Sequence, residues 1–381
     1  MHTIQQILRN HFDALVRSGR LSAPQYRAAL ALRACRSAVL GGHVQRCPNG
    51  HLERVWYNSC RHRACPQCNG VAKEQWLART RARLIECAHW HVVFTIPHQL
   101  NVLWRLNTAA MSAALFECAR DTLLELLADP RHLGAQPGMQ LALHTWTRSL
   151  DLHPHIHALV SDGGLCDGIW VHPRRSHFLP ATVVMMLFRG KLLDALRRMH
   201  RGEELRLPDT MSPEQLVSLL NRLGRKVKWN VRVCERYAHG RGVSMYLARY
   251  VKGGAFNNTQ IVRASASQVV FAYTPHAQPN QPKSRATLAL APERFLARVL
   301  QHSPEPGRHN VRYYGLYAHA CAEQLDAARA LHQQLPVQAP APIPWQSYLA
   351  RFPQALAATR CPHCNAVLVR GPLIIASRAP P

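Results

Sequence analysis

HPHIHALVSDGG, residues 153–164, is the segment from which the rest of this chain can be read. Side chains along a strand point alternately to opposite faces. In HIHALV that alternation puts His155 and His157 on one face and turns Ile156 into a core. Both imidazoles then aim at one spot. Eleven residues before His155 stands His144, in the strand-like LALHTW at residues 141–146. The two segments read as short strands joined by a turn around Leu152–Pro154. Paired as a hairpin, they bring a third imidazole to the same spot. Three histidine ligands leave coordination positions open for a phosphate oxygen, as a catalytic metal site requires. His153 is an alternative third ligand, ranked below His144 because Pro154 breaks the alternation. With 23 histidines in 381 residues, an isolated H-x-H arises by chance about once. The pair His89–His91 in HWH, just before VVFTIP, reads as such a coincidence. The alternative for the whole cluster is histidines that hold no metal.

Downstream, MYLARYVKGG at residues 245–254 places Tyr246 and Tyr250 four apart. On a helix that spacing stacks the two phenols on one face. The same spacing also suits two core residues packing with Leu247 or Val251. Arg249 and Lys252 flank the pair as phosphate-binding cations. A free tyrosine, with a pKa near ~10, is a poor nucleophile at neutral pH. Polarisation of a phosphate by a metal makes its attack feasible. Tyrosines facing a histidine-bound metal therefore point to cleavage of a DNA strand through a 5′-phosphotyrosine. The free 3′-hydroxyl can then reverse the step at a new end, and a second tyrosine permits a second cleavage.

A cysteine-rich stretch runs from His43 to Gly70 and reads as loop. Cys47, His51, Cys60, Cys65 and Cys68 are five candidates for a four-ligand Zn2+ site, so one of them is spare. CPQC at residues 65–68 is a knuckle that supplies two ligands from one tight turn. No βαβ pattern surrounds it that would suggest a redox motif. Arg61 and Arg63 lie among the ligands and suit a finger that grips DNA. A second knuckle, CPHC at residues 361–364, has no partner pair near it in sequence.

Lys and Arg number 47 against 21 acids, a formal charge of +26 spread along the chain. Such an excess calls for a polyanion, nucleic acid first. The scarcity of acids argues against a nuclease built on clustered carboxylates. MHTIQQILRNHFDALV is polar and amphipathic, unlike a signal peptide. The longest apolar run, VVMMLF at residues 183–188, is too short for a bilayer. These features predict a cytoplasmic protein without a membrane partner, in which twelve cysteines serve metal binding rather than disulfides.

The remaining pattern predicts two N-terminal amphipathic helices, the second opened by Ser22 or Pro24. A basic helix is expected over residues 73–90, a strand over His91–Pro97 and helix over Leu103–Leu127. Helices are also expected at Ala181–Met199 and Ser212–Leu223, and strands at Trp229–Glu235, QIVRAS and QVVFAY. PVQAPAPIP, residues 336–344, reads as an extended linker.

Taken in order, YNSCRHRACPQC, HVVFTIPHQLN, HPHIHALVSDGG, YLARYVKG and RYYGLYA resemble the two-tyrosine HUH transposases of the insertion sequence 91 family, over most of the chain. The resemblance implies that YNSCRHRACPQC belongs to an N-terminal zinc-binding domain, that His155 and His157 are the HUH pair, and that Tyr246 and Tyr250 are nucleophiles. The spacing of His144 is similar to the histidine triad of conjugative relaxases. One departure is visible: the family often begins its finger with C-x2-C, whereas here Gly50 and His51 follow Cys47. The implied fold is α/β (α+β), with an HUH endonuclease-type central antiparallel sheet flanked by helices and an N-terminal helical zinc-binding module. The expected division is 1–80 zinc-binding, 81–330 catalytic and 331–381 linker and tail. The implied function is rolling-circle transposition with Mg2+ or Mn2+ for catalysis and Zn2+ for structure. Its partners would be single-stranded DNA and hairpin-bearing transposon ends in a bacterial, nucleoid-associated setting. A replication initiator or relaxase with the same chemistry, and a zinc-finger regulator without catalysis, are the other two readings.

Overall fold

A computed structural model describes residues 2–173, 178–238, 254–275, 284–304, 306–352 and 356–377. The fold is mixed α/β and its sheets are antiparallel. In chain order the strands are β1 (Gly42–Arg46), β2 (Glu53–Tyr57), β3 (His89–Thr95), β4 (Gln136–Trp146), β5 (Leu152–Cys166) and β6 (Ile169–Val171). They continue with β7 (Asn230–Tyr237), β8 (Ile261–Ala264), β9 (Val269–Tyr273), β10 (Ala286–Leu290), β11 (Val311–Gly315) and β12 (Val369–Ile374).

The central sheet has the order β11-β4-β5-β3-β7, with β6 paired to β5. One face carries Val92, Phe94, Leu141, Leu143, Ile156, Ala158 and Val160, all buried in one apolar cluster. Helices Thr108–Ala128 and Ala181–Arg201 cover it, and Phe94 packs against Phe188 at 4.9 Å between ring centroids. Each large side chain so buried contributes on the order of 1.5–3 kcal/mol, which fixes the face and with it the register. The opposite face carries His91, His144, His155 and His157, because strictly alternating neighbours of the core residues must point the other way. At one end that second face is roofed by Leu84, Ile85, Leu316 and Tyr317. Gly138 is needed there: a Cβ at that position would lie 2.7 Å from the Tyr317 ring.

The N-terminal helices Ile4–Arg17 and Ala23–Ala34 do not pack alone. Their Ile4, Leu8, Leu15 and Leu32 share a cluster with Phe256, Phe271, Phe295 and Leu296. A capping box of Thr3 and Gln6 starts the first helix. The second opens at Ser22, whose backbone N–H donates to Gln25 Oε1, with Pro24 in the first turn.

Several elements differ from the sequence expectation. The basic helix ends at Arg83 rather than continuing to residue 90, because His89 and Trp90 pair with both β5 and β7. The helix expected over Leu103–Leu127 is two, Asn101–Leu106 and Thr108–Ala128. Asn107 divides them, its side-chain amide donating to Leu103 O and Arg206 O. The hairpin turn lies at residues 147–151, not at 152–154, closed by Thr147 N–H donating to Asp151 O with Leu150 left-handed. His153 and Pro154 therefore sit inside β5. The stretch 43–70, read as loop, contains the β1–β2 hairpin.

Candidate active site and metal centres

In the β4–β5 ladder His144 lies directly opposite His155, and His157 is opposite Ala142. This register brings one nitrogen from each of His144, His155 and His157 within 4.8 Å of the others. Ring centroids are 5.4 Å apart for His144–His155, 4.4 Å for His144–His157 and 4.8 Å for His155–His157. Burial pushes His144 and His157 well below the ordinary histidine value, and His155 down to about 4. All three are neutral at pH 7, with lone pairs available to a cation.

Two further contacts orient the triad. His155 Nδ1 is 2.6 Å from His153 O. A carbonyl only accepts, so Nδ1 carries the hydrogen and Nε2 is the free base. His153 thus acts through its backbone while its ring sits 5.2 Å away from that of His155. His157 Nδ1 is 2.8 Å from His91 Nε2, and the two rings stack at 5.0 Å. His91 belongs to the HWH pair read from sequence as a coincidence. The structure instead puts it against the triad, since β3 is the neighbour of β5 and His91 shares the face of His157. Its partner His89 turns away to the roof, where Nδ1–H donates to Cys87 O and Nε2 accepts from the Tyr317 hydroxyl at 2.7 Å.

Tyr246, Tyr250, Arg249 and Lys252 lie outside the described residues. Their flanks are described. On one side β7 ends with Tyr237, whose ring is 6.3 Å from that of His91. On the other, the chain returns at Gly254, left-handed and packed against the backbone of Ala64 in the cysteine-rich stretch.

The cysteines fall into two groups, not one. Cys60, Cys65 and Cys68 converge with Cys35, a residue the sequence reading did not include. Cys47 and His51 belong elsewhere, with Cys361 and Cys364. Cys47 stands in the turn of the β1–β2 hairpin and strand β2 carries the chain away from it to Cys60, which is why nearness in sequence misled. In the first group Cys65 and Cys35 sulfurs are 3.6 Å apart, and those of Cys60 and Cys68 are 3.7 Å apart. Such spacings exceed the ~2.0 Å of a disulfide. They match the ~3.8 Å edge of a tetrahedron with Zn–S near ~2.3 Å. Hydrogen bonds from Cys60, Cys65 and Cys68 hold the Cys35 thiol well below its ordinary value, so a thiolate is favoured in the cluster. Gln5 donates its amide N–H to Cys65 Sγ at 3.4 Å. Four cysteines of this geometry suit a structural Zn2+. Cys35 gave no local signal, being the C-cap of an ordinary helix twenty-five residues before Cys60.

Of the predicted DNA-binding arginines, Arg61 is exposed with a left-handed backbone. Arg63 is half-buried and donates to Arg308 O at 2.8 Å, so part of its guanidinium braces the cysteine loop. A larger basic feature was not read from sequence. An open cleft is lined by Arg20, Arg105, Arg294 and Arg298, together with Asp151 of the hairpin turn and Leu152 at the start of β5. It draws its arginines from separate segments of the chain, so no charge run announces it. Among the described residues no helix is long and apolar enough to cross a membrane.

Residues 7–96 match the family model of the transposase zinc-binding domain, and residues 138–324 match a model described as "Putative transposase". "Putative transposase y4qJ" of Sinorhizobium fredii is 34% identical over 356 residues, covering 91% of this chain and 88% of that relative. "Transposase for insertion sequence element IS801" of Pseudomonas savastanoi pv. phaseolicola is 29% identical over 379 residues, covering 95% of this chain and 88% of that relative. No solved structure matches significantly.

Proposed function

Because this chain belongs to the insertion sequence 91 family of transposases, we propose that it cleaves and rejoins single-stranded DNA at the His144–His155–His157 face, using Tyr246 and Tyr250 as nucleophiles. Family membership sets aside the replication initiator and the regulator. The observation that carries the mechanism is the register of β4 against β5, which sets His144 opposite His155 and gathers three neutral imidazoles on one face.

The donor set fits a divalent cation: His155 presents Nε2 because its Nδ1–H is bound to His153 O, and His157 presents Nε2 when its Nδ1–H donates to His91. Imidazole nitrogen suits Mn2+ better than Mg2+, so Mn2+ is the stronger choice of the two. A bound cation supplies Lewis-acid polarisation of a phosphate oxygen. The chain's own groups do the rest. Tyr246 or Tyr250 forms a bond from its phenolic oxygen to phosphorus while the bond to the 3′-oxygen breaks. The phenolic proton is lost and the 3′-oxygen leaves as a hydroxyl after gaining a proton. Rejoining is the reverse step with a 3′-hydroxyl from another strand, so no nucleotide hydrolysis is needed. The buried, apolar sheet beneath the histidines keeps their rings fixed, and holding the strand is the role assigned to Arg249 and Lys252. Hairpin-bearing transposon ends are the substrate in this reading.

Incubation with labelled single-stranded DNA and Mn2+ tests it. The expected product is a protease-sensitive covalent adduct, abolished by Tyr246→Phe with Tyr250→Phe and nearly abolished by His155→Ala. An adduct that persists in the double Phe variant overturns the nucleophile assignment. A wild-type protein that cuts no strand overturns strand transfer.

A further inference from the structure

The second cysteine group joins the two ends of the protein. Cys47, His51, Cys361 and Cys364 each place one ligand atom within 4.8 Å of the others. Cys47 Sγ is 3.5 Å from Cys364 Sγ and 3.7 Å from His51 Nδ1. A tetrahedron with Zn–S near ~2.3 Å and Zn–N near ~2.05 Å has edges of ~3.6–3.8 Å. Both arms are tight turns closed by a backbone hydrogen bond to the first cysteine. In CPNGH, Gly50 N–H donates to Cys47 O and Gly50 is left-handed, which returns His51 beside Cys47. In CPHCN, Asn365 N–H donates to Cys361 O, closing a turn one residue longer that holds Cys364 beside Cys361, and the left-handed Asn365 leads the chain out of it. Asn49 donates its amide N–H to Cys364 Sγ across the gap. Cys47, Cys361 and Leu368 are buried together.

The surrounding sheet repeats the same connection in backbone hydrogen bonds. Strand β12 of the tail pairs antiparallel with β1, with Arg46 opposite Val369 and Gly42 opposite Ile374, and β2 completes the sheet on the other side of β1. Arg54 also donates to Ala358 O from across this junction. Two metal knuckles carried by a three-stranded sheet are a complete zinc-ribbon layout, and here its halves come from opposite ends of the chain.

We propose that Cys47, His51, Cys361 and Cys364 bind a second structural Zn2+ that clamps the C-terminal tail onto the N-terminal module. Cys361 and Cys364 lie outside both matched family ranges, 7–96 and 138–324. The clamp closes a loop of more than three hundred residues, so its loss releases the tail rather than unfolding the central sheet, whose core is separate. The inference does not rest on the strand-transfer chemistry.

The test uses the full chain with His155→Ala and His157→Ala, so that the imidazole triad contributes no metal. Loaded with Co2+, this protein is expected to bind two ions per chain. Its sulfur-to-cobalt absorption should correspond to seven thiolate bonds, four from the first group and three from the second. Cys361→Ser with Cys364→Ser is expected to lower the count to one ion and four thiolate bonds, and to expose residues 336–344 to protease. His51→Cys, which keeps a four-ligand set, is expected to retain two ions and raise the bonds to eight. One ion in the parent protein overturns the proposal, as does a tail variant that still binds two. An unchanged absorption in His51→Cys removes His51 from the site and overturns the ligand set.

Discussion

His91 Nε2 lies 2.8 Å from His157 Nδ1, a contact that couples the tautomer of a histidine on one strand to that of a histidine on the next. With His157 Nδ1 protonated and donating, its Nε2 lone pair faces the triad. With the opposite tautomer His157 could not bind a cation. In the proposed mechanism His91 is a positioning residue, and orienting partners of this type typically contribute a factor of about 10–100 to metal affinity. His91→Ala is expected to raise the Mn2+ concentration for half-maximal strand cleavage by that factor, with cleavage recovered at high Mn2+. His91→Gln, which keeps an acceptor, is expected to fall between. An unchanged Mn2+ dependence in His91→Ala would show that the contact is only packing.

Cys35 completes the first thiolate group and sits in the same apolar cluster as Leu8, Cys65 and Phe295. Replacing it breaks a metal site and leaves a buried hydroxyl among apolar neighbours. Cys35→Ser is expected to lower the zinc content by one ion and the midpoint of thermal unfolding by roughly 5–10 °C. Cys118→Ser, at a buried thiol outside both groups, should keep the full zinc content. Zinc content by elemental analysis, read beside the melting curve, decides the matter.

Acid should destabilise the fold through two histidines distant from any thiolate. Burial pushes His89 and His302 down to about 4. Each is satisfied as a neutral ring. His89 spans Cys87 O and the Tyr317 hydroxyl, and His302 accepts from Thr145 and donates to Leu150 O. The unfolded chain takes up these protons first, near pH 6.5. Their contribution is thus fully present above about pH 6.5 and is lost as pH falls through about 4, on the order of 3 kcal/mol for each group. Urea unfolding between pH 7.5 and 4.5 should show this decline, and His302→Gln should make it shallower. A flat profile in the wild type would refute the assignment.

Arg105 and Arg294 are exposed on the walls of the basic cleft, whereas Arg298 is tied to Asp151 at 2.9 Å. Exposed guanidinium groups lining an open cleft suit phosphate contacts without sequence readout. Arg105→Ala with Arg294→Ala is expected to weaken single-stranded DNA binding for every sequence alike. The slope of log affinity against log salt should fall by about 0.7 for each phosphate no longer neutralised. Fluorescence anisotropy across a salt series reads both quantities. An unchanged slope would place the strand elsewhere.

Much of the histidine face was legible because its information is local. Alternation in HIHALV fixed the facing of His155 and His157, and a turn-sized gap suggested that LALHTW would lie beside it. The register placing His144 opposite His155 then followed from burying Leu143 and Ile156 on the other side. The start of β3, at His89 and Trp90, was missed for the opposite reason. Its residues follow a strong helical stretch, and only pairing with β5 and β7 makes them extended. Arg63 looked like a DNA contact by its neighbours in sequence, yet it braces a loop near residue 308.

The metal-binding residues mark the boundary most clearly. Most of the metal-binding side chains, Cys35 excepted, and the local turns that pair them were readable from the residues alone, since CPQC, CPNGH and CPHC are short-range features. Which pairs meet depended on long-range packing: Cys35 with CPQC, and Cys47 with a knuckle more than three hundred residues away. The physical reason is that a turn is fixed by neighbouring dihedral angles, whereas a four-ligand site is closed by whichever hydrophobic faces and strand edges pack together. That packing joins the N-terminal helices to Phe295 and β1 to β12, and no short-range pattern in the chain encodes either contact.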